Sequence, residues 1–394
     1  MNILWVSPFL PKIDATHAGG RAGAHWMRWT AERHRVTLLC RVEPAERADA
    51  RRLAPQLAGL HLQEFGRPAG PGATARIAVS YARLGHAANR LLRAGGFDIL
   101  HVEYLEAGLA VDRTLAVRKI AVAIDELARP ALHRLRLARG TGPRLGAWLY
   151  WRAIGRLQSR ICRKFDRILT MSEYDRRTLL TRDPALSVGV LPLPCGLDLA
   201  RARDVSRARA ELLFVGAMYR DVNVDAVRWF HDEVLPGVRA EIGDVRFTIA
   251  GAGPPAEIQR LTASSGVEVT GFVESLEPIY ARATVFVAPL RIAGGIAGKT
   301  LDALAAGCPV VTTTLGNDGI GAIPGRHLLV ADSSKDFAAA VTQLLRDSAQ
   351  RDRLGESARR FAAERYAPAV SAATLEREHQ ALAGAPALTR RSAG

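Results

Sequence analysis

The chain has 394 residues, 48% hydrophobic and 24% charged, with a net charge of +15. The length suits two domains of ordinary size, and the composition excludes a disordered, collagenous or low-complexity chain. The charge is uneven: Lys and Arg exceed Asp and Glu by 14 over residues 1–200 but by 1 over residues 201–394, so the two halves should meet different partners. Cys40, Cys162, Cys195 and Cys308 lie far apart with no C-x-x-C pair, which argues against a zinc site or a disulfide framework and suits a reducing cytoplasm. Met1 to Leu10 has no basic residue, and Pro8 and Pro11 interrupt the apolar run, so no signal peptide is expected. No uncharged apolar run approaches the ~18 residues that cross a bilayer. A soluble or peripheral protein is expected.

In chain order, a buried-type strand at Ile3–Val6 runs into a long loop holding Gly19, Gly20 and Gly23. A helix around Ala24–Arg33 then leads to a strand at Val36–Cys40. Further apolar runs at Ile99–Val102, Ile120–Ile124, Ile168–Met171 and Val188–Leu191 read as strands with helices between. Pro192, Pro194 and Gly196 break the pattern, which restarts after the arginine-rich stretch Leu199–Ala210. Strands are then expected at Leu212–Val215, Arg246–Ala250, Val267–Thr270, Val285–Ala288 and Pro309–Thr313. One long helix from about Phe337 to Tyr366 is broken by Pro368, and another continues to about Ala383. Short apolar strands alternating with helices predict parallel sheets covered on both faces. The fold class is therefore α/β, two doubly wound, Rossmann-like domains in tandem, with ligands at strand carboxyl ends and a cleft between the domains. The predicted boundaries are 1–197 and 198–366, with a last helix at 367–383 and a disordered tail at 384–394.

The segment Pro289–Ile320 carries the most chemistry. It reads as a strand, a glycine-rich loop, a short helix, a second strand and another glycine loop. Arg291 and Lys299 flank the first loop, which contains Gly294 and Gly295. Backbone amides, a helix N-terminus and two cations make a receptor for a diphosphate. Asp302 on the following helix is the carboxylate type that accepts both hydroxyls of a ribose diol. Together these residues point to a nucleoside diphosphate.

Other motifs are weaker. Gly251-Ala-Gly253-Pro-Pro-Ala256 satisfies G-x-G-x-x-A after a strand, with Glu268 placed as a ribose acid, and would support a dinucleotide oxidoreductase. Pro254 and Pro255 remove amide donors where pyrophosphate would sit, so a tight turn with proline opening the helix is favoured. Gly19, Gly20 and Arg21 follow the first strand, as an acceptor-side phosphate contact or a plain connection. His101 and Glu103 end the strand Ile99–Val102 and could face the cleft. Ser172-Glu173 reads as a helix N-cap. Arg129 to Lys164 contains no Asp or Glu and interleaves Arg134, Arg136, Arg139, Arg144, Arg152, Arg156, Arg160 and Arg163 with Trp148, Tyr150 and Trp151. Such a stretch suits an anionic membrane surface better than nucleic acid, since no nucleic-acid module is present.

The order of these elements resembles a retaining glycosyltransferase of family four, with the two-Rossmann GT-B fold, over nearly the whole chain. Trp5-Val-Ser-Pro-Phe-Leu-Pro with Gly19-Gly20 resembles the family's first strand and glycine loop, and Phe97–Glu106 its next interior strand. Phe165–Asp175 resembles the stretch before the hinge, and Leu193–Asp198 the hinge itself. Phe214–Asp225 is similar to the start of the donor domain, and Val269–Val273 to the segment against the nucleotide base. The donor loop resembles that of exopolysaccharide-type sugar transferases.

The resemblance implies that Arg291 and Lys299 are catalytic, binding the donor diphosphate. It further implies donor contacts at Gly216, Arg220, Phe272, Gly294, Gly295, Ile296, Thr300 and Asp302, with Asp302 on the ribose. Acceptor contacts would fall at Gly19, Gly20, Arg21, His101 and Glu103, and the last helix would cross back to the first domain. The family's Glu-x7-Glu has Gly294 in its first position and Asp302 in its second, so the acid against the donor sugar is missing. The early arginine-lysine pair is reduced to Arg220, and Asp125-Glu126-Leu127 stands where relatives have a histidine.

The expectation is a metal-independent hexosyltransferase, without a cofactor, that takes a nucleotide sugar as co-substrate. It would act with retention in surface polysaccharide or glycolipid assembly, at the cytoplasmic face of the membrane. Its partners would be anionic lipid or a lipid-linked acceptor, not nucleic acid. The alternatives are a small soluble acceptor, an NAD(P)-dependent oxidoreductase using Gly251–Ala256, and a non-catalytic nucleotide-binding homologue.

Overall fold

In a computed structural model the structure describes residues 1–385, apart from 14, 16–17, 67–69, 71, 125–126, 139, 196–209 and 293–294. Two compact units emerge from the contacts: Met1–Ala15 with Gly19–Leu191 and Ser371–Gly394, and Thr16–Ala18 with Pro192–Val370. The strands of the first are β1 (Asn2–Ser7), β2 (Arg35–Val42), β3 (Gly59–Glu64), β4 (Ile99–Glu103), β5 (Arg118–Ala123), β6 (Arg167–Thr170) and β7 (Val188–Val190). Their helices are α1 (Ala18–Ala31), α2 (Arg47–Leu53), α3 (Ala73–Ala94), α4 (Arg129–Leu137), α5 (Thr141–Cys162) and α6 (Glu173–Arg182). All the pairings are parallel, in the order β3-β2-β1-β4-β5-β6-β7. The order reverses between β1 and β4. Leu4, Val6, Leu100, Val102 and Ala121 are buried on one sheet face with Leu84 and Ile161 of the covering helices, which is why these strands read as unbroken apolar runs.

The second unit has β8 (Glu211–Val215), β9 (Arg246–Ala250), β10 (Val267–Gly271), β11 (Val285–Ala288), β12 (Val310–Thr312) and β13 (Leu329–Val330). Its helices are α7 (Asp221–Trp229), α8 (Leu235–Ile242), α9 (Ala256–Gln259), α10 (Glu277–Arg282), α11 (Gly298–Ala305), α12 (Thr314–Asn317), α13 (Ser334–Arg346) and α14 (Ser348–Tyr366). The sheet runs β10-β9-β8-β11-β12-β13, again parallel, and reverses between β8 and β11. Phe214, Phe230, Phe247, Ile249, Val287 and Phe337 lie at its core. A last helix, α15 (Pro368–Gly384), carries the chain onto the first unit. There Ser371 accepts a hydrogen bond from the buried indole of Trp26 at 2.7 Å, and Glu378 pairs with Arg167 at 2.8 Å.

Four expectations are corrected. Gly19, Gly20 and Gly23 lie inside α1, not in a loop. A Cβ on Gly19 would strike the Tyr104 hydroxyl, and one on Gly23 the Glu103 carboxylate. These glycines therefore bring a helix close to β4, and their helix-breaking tendency is outweighed by that packing. The long helix Phe337–Tyr366 is two, because Asp347 turns the chain and its side chain accepts a bond from the Gln350 amide, capping α14. The loop after β12 contains a one-turn helix, α12, capped by Thr313. β3 and β13 lie outside the expected strands: β3 holds only half-buried and exposed residues at a sheet edge, and β13 spans two residues. The expected tail lies outside the described residues from 386 onward.

Candidate functional site

The second unit gathers cations where its sheet reverses, at the carboxyl ends of β8 and β11. Ligands of doubly wound sheets bind at this kind of place. Gly216 follows β8 and donates its amide to the Ala250 carbonyl at 2.9 Å. A Cβ there would come within 2.7 Å of Lys299 Nζ and 2.8 Å of Asn223 Nδ2, so glycine leaves the space these two groups occupy. Lys299 stands in the first turn of α11, hydrogen-bonded to Asn223 Oδ1, with its ammonium 4.4 Å from the centre of the Phe214 ring. Asn223 is buried and donates Nδ2 to the Ala217 carbonyl at 2.7 Å. That bond fixes which end of the amide faces the lysine.

Burial, and then the positive charge of Arg220, push the Lys299 pKa down to about 7. A lysine and an arginine close enough to repel each other are poised for an anion. Arg220 is exposed at the N-cap of α7, so the amides of that helix face the same region.

The other residues expected to touch a donor fall as follows. Arg291, exposed at 45%, makes a two-pronged ion pair with Asp225 of α7, at 2.5 and 3.1 Å. The cation paired electrostatically with Lys299 is thus Arg220, not Arg291. Phe272, just past β10, is 67% exposed, an open aromatic face. Thr300 is fully buried and its hydroxyl has no hydrogen-bond partner among the described residues. Asp302 is buried at 4% and lies close enough to Cys195 for its charge to add to the burial that raises that thiol. Gly295 and Ile296 are half-buried before α11, and the Ile296 carbonyl accepts from the Gly298 amide. Gly294 lies outside the described residues, as do Asp125 and Glu126. Sequence reasoning missed Asn223 and Asp225, which hold the two cations. Their signal was the stretch Asp221-Val-Asn-Val-Asp225, at the start of a helix after a glycine loop.

The Gly251–Ala256 motif serves packing. A Cβ on Gly251 would overlap the Gly216 carbonyl, and α9 begins only after Pro255 and lasts four residues. A pyrophosphate-binding helix needs free amides there, and the prolines withhold them.

In the first unit the residues read as acceptor contacts are largely interior. His101 is fully buried, stacked 3.6 Å from the Trp5 ring, and its Nδ1 is 3.0 Å from Nε2 of His379 on α15. Burial lowers the pKa of both, that of His379 to about 4. This correction has a simple cause: His101 occupies an inward position on a central strand, where α15 covers it. Glu103, 2% exposed, lies over Gly23, and burial raises its pKa to about 7. Next to it, Tyr104 has φ 62°, a strained value for a non-glycine residue at a strand end. Gly19 and Gly20 are buried in the first turn of α1, and Arg21 Nη1 donates to the Ala15 carbonyl at 3.2 Å. Ser172 caps α6 as expected, accepting from the Asp175 amide.

Two Rossmann-like units, the second with an anion-receptive switch point, define the architecture of a GT-B glycosyltransferase. Solved structures share it: sucrose-phosphate synthase from Thermosynechococcus elongatus superposes with a TM-score of 0.74 at 16% identity, over 97% of this chain and 99% of that one. HepE of Anabaena, in complex with UDP-glucose, gives 0.66 at 12% identity over 97% and 100%. In sequence, residues 19–196 match the family described as "Glycosyl transferase 4-like domain" and residues 209–347 "Glycosyl transferases group 1". The chain belongs to the group 1, 4-like glycosyltransferases. An uncharacterised 44.6 kDa protein in the cps region of Klebsiella pneumoniae is 26% identical over 163 residues, a match spanning 39% of this chain and 42% of that protein.

Proposed function

We propose that this glycosyltransferase takes a nucleoside-diphosphate sugar at the switch point of its second unit and passes the sugar to an acceptor hydroxyl with retention. One observation carries the reading: Lys299 and Arg220 stand close enough to repel each other beside the α7 N-terminus, with Gly216 leaving the room that the Lys299 ammonium occupies. Charge develops on the departing diphosphate as the glycosidic bond breaks, and preorganised cations and amides stabilise it. No metal is needed in this scheme, because the two side chains supply the countercharge. The acceptor hydroxyl attacks on the face the diphosphate leaves, and a phosphate oxygen takes its proton. Phe272 offers a stacking face for the base and Asp302 a carboxylate for the ribose diol. Arg291, seated on Asp225, adds charge beside the site.

The complex of HepE with UDP-glucose makes UDP the first nucleotide to try. The cps-region match favours a role in surface polysaccharide or glycolipid assembly at the cytoplasmic face of a membrane. A thermal-shift panel of nucleoside diphosphates tests the reading. At least one should raise the melting temperature, and Lys299→Ala should weaken its binding by about 10- to 100-fold, the worth of a charge-assisted hydrogen bond. If no nucleotide shifts the protein, or Lys299→Ala changes nothing, the donor site is not here.

A further inference from the structure

α5 is unusual for a helix of a globular domain. Every residue from Thr141 to Tyr150 except the half-buried Ala147 is exposed. The exposed residues include Leu145 at 58%, Trp148 at 41% and Leu149 at 54%. Spacings of three and four put these three on one stripe of the helix. The stripe continues into Arg152, Arg156 and Arg163 at the same helical phase. Beside it, between α5 and α6, opens a pocket of about 420 Å³ lined by Trp151, Arg152, Arg156, Arg160, Arg163 and Arg182. Gly155 forms its floor: a Cβ there would stand 3.1 Å from Arg182 Nε, so glycine lets that arginine lie across the helix. Asp183 holds Arg163 at 2.7 Å, while no carboxylate pairs with Arg152, Arg156 or Arg160 among the described residues. Like charges four apart weaken a helix, and a bound anion would relieve them.

We infer that this face of the first unit docks on an anionic phospholipid bilayer, with Leu145, Trp148 and Leu149 entering the interface and the arginine pocket taking lipid phosphate. Nucleic acid would answer the arginines but leave two leucines in water. A second copy of the chain would bring the same positive charge against itself. Only a charged surface with an apolar interior matches both halves of the stripe.

The inference stands apart from the donor site. The test uses the full-length protein in flotation with vesicles of phosphatidylcholine alone, and of phosphatidylcholine with phosphatidylglycerol in equal parts. The protein should float with the mixed vesicles, be released by salt, and stay behind with phosphatidylcholine alone. Each of Arg152→Gln and Arg156→Gln should cut binding about fivefold. Leu145→Ser with Leu149→Ser should abolish it while every charge remains. All four substitutions are on the surface, and the first unit's melting transition should be unchanged in them, showing intact folding. Equal flotation with both vesicle types, or unchanged binding by the arginine variants, overturns the inference. So does capture by duplex RNA or DNA without flotation, which would make nucleic acid the partner.

Discussion

Lys299 is a cation held in readiness. Its ammonium sits on a phenylalanine face, bonded to a neutral amide, and burial followed by repulsion from Arg220 lowers its pKa from 10.5 to about 7. In the empty protein the folded state prefers the neutral amine. Stability therefore falls as pH drops from the ordinary lysine pKa through about 7, and recovers as pH rises. A bound diphosphate reverses the preference by supplying the missing negative charge. Nucleotide binding at pH 8 should thus take up close to one proton, seen as a dependence of the calorimetric enthalpy on the buffer's ionisation enthalpy. Lys299→Arg, always charged, should abolish the uptake while retaining binding. Uptake unchanged in that variant would place the titrating group elsewhere.

At the scale of elements, glycine has opposite meanings in two helices. In α1, Gly19 and Gly23 admit the Tyr104 hydroxyl and the Glu103 carboxylate, so alanine at either position should cost about 1–3 kcal/mol by overpacking. In α5, Gly142 and Gly146 have nothing within 4 Å of a would-be Cβ, and alanine there should gain about 0.5–1 kcal/mol. Urea midpoints of the four variants, compared at equal slopes, check both signs. Nothing in the local sequence separates the two cases. A glycine cluster after a strand reads as a loop until one knows that β4 presents two large polar groups to it. The N-caps Ser172 and Ser333 need only residues within one turn, which is why capping at Ser172 could be read directly.

For the whole molecule, α15 makes the end of the chain part of its beginning. Trp26 with Ser371, His34 with Glu376, His101 with His379 and Arg167 with Glu378 bind it to residues between 211 and 345 positions away. Truncation after Val370 should leave nucleotide binding in place, because the donor residues belong to the second unit. The first unit should lose its cooperative melting transition, because buried partners such as Trp26 and His101 are left unsatisfied. Differential scanning calorimetry with and without nucleotide separates the two events. The sequence by itself determined the class α/β, the two parallel sheets, the positions of most strands and the cations Arg291 and Lys299 flanking the loop before α11. Each of these is a local signal, an apolar run or a glycine next to a charge. Only the tertiary structure decided that Arg220 rather than Arg291 stands against Lys299, that Asn223 orients it, and that His101 is interior. Those outcomes depend on which strands become neighbours, and contacts between residues some 80 to 280 positions apart leave no periodicity to read.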